Sequence, residues 1–64
     1  MQYNGKNWPL PAPVTVREFL TAQGFDPARV AVERNGAVVR RADFDTVRLT
    51  DEDRVEIVQF VGGG

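Results

Sequence analysis

Only one stretch of this 64-residue chain carries a helix signal, and strand signals lie on both sides of it. Thr15-Val16-Arg17-Glu18 matches a capping box. In that motif the Thr15 hydroxyl accepts from the Glu18 amide, and the Glu18 carboxylate reaches back to the Thr15 amide. Val16, Phe19 and Leu20, with Gln23 beyond them, give one narrow apolar face at helical spacing. Gly24 is placed to stop the helix as its C′ residue, and Phe25 to supply the apolar contact that accompanies such a cap. The spacing predicts a helix over about 16–23. One helix covers one face of a sheet, so the expected fold is a two-layer α+β domain.

The strand signals fill in the other layer. Met1 to Asn4 opens a strand, and Asn4-Gly5 is a hairpin turn signal. Trp8 to Leu10 is the expected return strand, confined to an edge by Pro9, Pro11 and Pro13. Asp26-Pro27 begins a turn. Val30–Arg34 and Ala37–Arg40 bracket Asn35-Gly36, a type I′ hairpin signal. A loop with Asp43-Phe44, a short strand over Val47–Leu49 and a polar turn over Thr50–Asp53 follow. Arg54 to Val61 is the strongest strand in the chain. The order is ββαβ(β)β, a mixed sheet of four to five strands.

The last strand divides its side chains between two faces. Val55 and Ile57 point one way, as the core pair beneath the helix. Arg54, Glu56, Val58 and Phe60 point the other way, where a two-layer domain has no helix. Val58 and Phe60, with Val61 at the hinge, are therefore expected to form an exposed patch that docks a partner. The competing reading is a central strand apolar on both sides, or a loop over that face.

Composition removes most chemistry. The chain has no cysteine and no histidine. That excludes disulfides, thiolate nucleophiles, Cys-type metal sites and the commonest general base, and it fits a reducing cytoplasm. Net charge is −1 and the only basic run is Arg40-Arg41, so neither nucleic acid nor a membrane is an expected partner. No apolar run approaches transmembrane length. Asp51-Glu52-Asp53 reads as a solvated turn rather than a metal site, because its spacing is not that of an EF-hand. Asp43 with Arg40 and Arg41 reads as a surface charge group. Tyr3 reads as a strand residue, and Trp8 as either a partner anchor or a plug at one end of the core. No nucleophile–base pair is present, and no metal ligands are expected.

What is left is the end of the chain. Gly62-Gly63-Gly64 follows the last strand directly. The expected division is a domain over 1–61 and a flexible tail over 62–64. Three glycines present no side chain, and extended they reach roughly 10 Å. Such a thread can carry the Gly64 carboxylate into a narrow active site of another protein. The plainer reading is a frayed terminus.

In these pieces the chain resembles the ThiS family, small ubiquitin-like β-grasp sulfur carriers of thiamine biosynthesis. The matching residues are Asn4-Gly5, Thr15 to Leu20, Val32 to Arg41, Asp43-Phe44, Leu49 to Val58 and the terminal glycines. Two positions depart from the family pattern: Arg40 stands where Pro is usual, and Glu52 where Gly is usual. The resemblance implies a protein co-substrate rather than an enzyme. A ThiF-like adenylating enzyme would use ATP and Mg²⁺ to activate Gly64, with Gly62 and Gly63 threading its active site. A persulfide donor would then supply sulfur, leaving a thiocarboxylate, and a ThiG-like thiazole synthase would consume it. The chain itself would bind no cofactor. Two alternatives stay open: a β-grasp carrier for another pathway, such as the small subunit of molybdopterin synthase, and a β-grasp interaction module with inert glycines.

Overall fold

The computed structural model describes residues 1–60. In chain order the strands are β1 (Gln2–Tyr3), β2 (Lys6–Asn7), β3 (Val14–Thr15), β4 (Val30–Arg34), β5 (Ala37–Val39), β6 (Arg48–Leu49) and β7 (Arg54–Gln59). Helix α1 (Val16–Ala22) follows β3, and short 3-10 turns occupy Pro27–Arg29 and Arg41–Asp43. Five strands form one sheet in the order β2-β1-β7-β4-β5, and β3 pairs with β6 separately. Strand β1 runs parallel to β7, while the other pairings are antiparallel, so the sheet is mixed. The chain's last strand is thus its middle one.

The local signals explain most of these elements. Both halves of the capping box form: Thr15 N–H donates to Glu18 Oε1 at 2.8 Å, and Glu18 N–H donates to Thr15 Oγ1 at 3.0 Å. At the other end the Gly24 N–H donates to Thr21 O and the Phe25 N–H to Leu20 O, the paired bonds of a Schellman cap. Gly24 has φ +83, a left-handed conformation that glycine adopts without a Cβ penalty. Asn4-Gly5 and Asn35-Gly36 are both positive in φ at both positions, as type I′ turns require.

Three expectations need correction. The first hairpin returns through Lys6–Asn7, not Trp8 to Leu10. A two-residue turn puts Lys6 opposite Tyr3 and leaves no slack for a later strand. Trp8 makes one more backbone bond, to Met1 O at 2.7 Å, and Pro9 and Pro11 lack the N–H to continue. The last strand ends at Gln59 rather than at Val61. Asp51-Glu52-Asp53 is not a uniformly solvated turn. Asp53 is buried, and its carboxylate accepts from Arg34 Nε at 3.1 Å, Asn35 Nδ2 at 2.9 Å and Thr50 N at 2.8 Å.

The two departures from the family pattern leave the backbone undisturbed. Among the described residues, only Asn4 and Asn35 are non-glycine with positive φ, so the turn at Glu52 does not need glycine. Arg40 sits at φ −68, ψ 146, an extended conformation open to proline and arginine alike.

The core lies between α1 and the inner face of the sheet. Phe19 and Leu20 are buried in one cluster with Val32, Phe44, Leu49, Val55 and Ile57. Tyr3 and Trp8 close one end of it, stacking edge-on with each other and with Phe19 at centroid separations of 5.0–6.3 Å. Trp8 covers this end while staying 37% exposed, so the structure leaves both of its readings open. Replacing Ile57 by Ala is expected to cost about 2–5 kcal/mol in urea unfolding. A loss under about 0.5 kcal/mol, typical of surface sites, would contradict its burial.

Asp53 sets a pH dependence. Burial opposes its ionisation, but the bonds from Asn35, Thr50 and Arg34 outweigh burial and hold the carboxyl below its ordinary value of 3.8. A lowered folded-state pKa contributes stability above the unfolded value, lost as pH falls through the folded one. Asp53→Ala should cost about 1–3 kcal/mol at neutral pH by leaving its donors unpaired. It should also flatten the loss of stability below pH 3.8. An unchanged acid-unfolding profile would show that other carboxyls control it.

Candidate functional site

The site is built where β7 leaves the sheet. Gln59 still pairs with Val30, and one residue later the Phe60 N–H donates to Arg29 O at 2.8 Å. Arg29 closes the 3-10 turn Pro27–Arg29, whose start is capped by Asp26 accepting from the Ala28 N–H at 2.9 Å. Arg41 braces the same turn from across the fold. Its Nε donates to Pro27 O and its Nη2 to Ala28 O, each at 3.2 Å. Asp26, Arg29 and Arg41 thus fix the point at which the chain turns toward its end. Asp26-Pro27 announced a turn in the sequence, whereas Arg41 was expected to be one of a surface charge group. Arg40 pairs with Asp43 at 3.2 Å and Arg41 is exposed beside them, so the group lies at the surface as read, but the Arg41 guanidinium is spent on backbone carbonyls. Arg41 reaches carbonyls more than ten residues away, and nothing local in the sequence marks such a bond.

The sheet face away from α1 carries the expected docking residues. Val58 is 60% exposed and Phe60 53% exposed. Val58 lies directly opposite Ala31 on β4, and Val38, 72% exposed, lies opposite Glu33. Val38 is an addition to the expected patch. Its exposure follows from the hairpin register that the two-residue Asn35-Gly36 turn sets. Phe60 also borders a shallow depression of about 230 Å³, with Ala31, Val38, Arg40 and Arg41 around it. Val61, Gly62, Gly63 and Gly64, and with them the 61/62 boundary, lie outside the described residues.

Among the described residues no three His, Cys, Asp or Glu side chains cluster as metal ligands would, and no helix is long and apolar enough to cross a membrane. Tyr3 packs in the aromatic cluster, and burial pushes its phenol up from the usual value of 10.0, away from any acid–base role near neutrality. Geometrically, the described part of the site is an exposed apolar strip on the sheet face away from α1.

Comparison with known proteins agrees with this architecture. The family model described as "ThiS family" matches residues 1–64. The sulfur carrier protein ThiS of Bacillus subtilis is 36% identical over 66 residues, covering 100% of this chain and 98% of that protein. A thiazole synthase of Magnetococcus marinus is 44% identical over 61 residues, covering 95% of this chain; the chain spans only 19% of that synthase. The crystal structure of the thiamine biosynthesis protein ThiS from Geobacter metallireducens superposes with a TM-score of 0.82 at 36% identity, covering 98% of this chain and 96% of that one. A sheet with its last strand at the centre, one capped helix across it and full-length matches in both sequence and structure lead to one conclusion: this chain is a β-grasp protein of the ThiS family.

Proposed function

We propose that this chain is a sulfur carrier of thiamine biosynthesis whose Gly64 carboxylate is the reacting group. The observation that carries the reading is the placement of Phe60. The central strand delivers it, the Arg29 carbonyl holds it, and four residues ending in Gly62-Gly63-Gly64 follow. The full-length similarity to a ThiS sulfur carrier supports the role. The stretch shared with thiazole synthases supports such a synthase as the protein that consumes the sulfur.

The chemistry follows from the carboxylate's weakness as an acyl electrophile. A carboxylate oxygen leaves badly. A ThiF-type enzyme transfers AMP from ATP to the Gly64 carboxylate, releasing pyrophosphate and installing a good leaving group. Sulfur from a persulfide displaces AMP, and thiol exchange or reduction of the resulting acyl disulfide leaves the thiocarboxylate. In this sequence the chain is consumed and recharged as a co-substrate. ATP and Mg²⁺ belong to the adenylating enzyme. Deleting Gly64, or adding one residue after it, should abolish AMP transfer while leaving thermal unfolding unchanged. Full adenylation of the capped chain, read by intact mass, would overturn the assignment.

The folded surface must supply the affinity. Fixing a residue's backbone costs about 1–2 kcal/mol, and glycine lies at the expensive end. Three glycines placed in one extended path therefore cost several kcal/mol and offer only backbone hydrogen bonds in return. Val58, Phe60 and Val61 are the proposed docking residues, with Gly62 and Gly63 threading the active site. Phe60→Ala is expected to weaken binding to the adenylating enzyme 10-fold, on the order of 1.4 kcal/mol, while destabilising the fold far less than Ile57→Ala. Wild-type affinity, or a core-sized loss of stability, would remove Phe60 from the docking surface.

A further inference from the structure

The exposed sheet face breaks a pairing rule. Glu33 on β4 and Glu56 on β7 are register partners in the antiparallel ladder, so their side chains project from the same face side by side. Both are exposed. Directly opposed like charges destabilise a sheet. Among the described residues neither carboxylate joins an ion pair. Arg54 shares the face two residues before Glu56 and bonds to neither; Arg34 is committed to Asp53, and Arg40 to Asp43. Arg54, diagonal to Glu33 across the ladder, is the nearest cation on this face, yet it leaves the pair without a bonded counter-ion, and violations of this kind concentrate at functional surfaces.

Their surroundings indicate the missing partner. Two residues along the same two strands, on the same face, lies the Ala31–Val58 pair, and across the hairpin from Glu33 lies Val38. The acidic pair is thus the border of the apolar strip that continues to Phe60. Proteins that dock by an apolar centre commonly carry complementary charge at the rim. We infer that Glu33 and Glu56 together receive one basic side chain, a guanidinium or ammonium, from the border of an apolar surface on the adenylating enzyme. The inference rests on the carrier reading above and adds the polarity of docking. A cation held between the two carboxylates fixes how the apolar strip is laid down, and so where Phe60 and the residues after it point.

The test separates this role from a structural one. Glu33→Gln, Glu56→Gln and the double variant are compared with wild type in urea unfolding and in binding to the ThiF-type enzyme of the same organism. Relief of repulsion should raise the unfolding midpoint of the double variant, while its Kd rises about 10-fold at low salt. That difference should shrink at high ionic strength, where the exposed pair is screened. Glu56→Lys should bind more weakly still. A double variant that binds within two-fold of wild type, to an enzyme that adenylates Gly64, overturns the acidic anchor and leaves the carrier reading intact. A lowered midpoint accompanying weaker binding overturns it too, as a structural effect. An enzyme that neither binds nor adenylates wild type removes both readings.

Discussion

Strand β7 is the element on which everything else hangs. It takes β1 on one side and β4 on the other, and it supplies Val55 and Ile57 to the core. Two asparagine side chains lengthen its hydrogen bonding beyond the ladders. Asn4 turns out of β1 into a left-handed conformation, but its amide still donates to Ile57 O at 3.2 Å and its carbonyl oxygen accepts from Ile57 N at 2.8 Å. At the start of the strand the Asn35 carbonyl oxygen accepts from Arg54 N at 2.9 Å, while its amide donates to Asp53 Oδ1 at 2.9 Å. Each type I′ turn thus reverses its own hairpin and also grips the central strand. That dual use makes asparagine more than one acceptable turn residue among several.

Much of this was legible in the sequence because the signals are local. A capping box, a C′ glycine and two Asn-Gly turns each act over a few residues, and all formed as read. Alternation along Arg54 to Phe60 sorted core from surface without any knowledge of strand order. What stayed hidden depends on contacts between distant segments. The parallel β1–β7 pairing joins residues some fifty positions apart. The burial of Asp53 comes from the Asn35 hairpin folding down beside it. From sequence alone, three adjacent acids look equivalent. In the fold Asp53 is a buried acceptor, Asp51 holds the N-terminal ammonium at 2.8 Å, and Glu52 faces solvent.

The same division applies to the site. Val58 and Phe60 were readable as exposed because a single helix cannot cover both faces. The Glu33–Glu56 pair was not, since β4 and β7 are distant strands that no turn connects. Register here is set by the turns: a two-residue loop at Asn35-Gly36 places Glu33 opposite Val38, and the gripping bonds of Asn4 and Asn35 place Glu56 on β7. Turn chemistry at one end of the sheet therefore decides which side chains stand together on its exposed face.

If Gly64 is the reacting group, as proposed, a rigid centre beside it is a physical requirement. A carrier must present the same carboxylate to several active sites, so the group itself can hold little recognition. Recognition has to reside in a surface whose geometry relative to the chain end is constant. Putting the last strand in the middle of the sheet achieves that, because a central strand is paired along both edges and opens last. The Arg29 carbonyl extends this fixation one residue past the ladder, to Phe60, and Arg41 stiffens the turn that offers the carbonyl. An edge strand in the same role would tie Phe60 to the part of a sheet most prone to fraying.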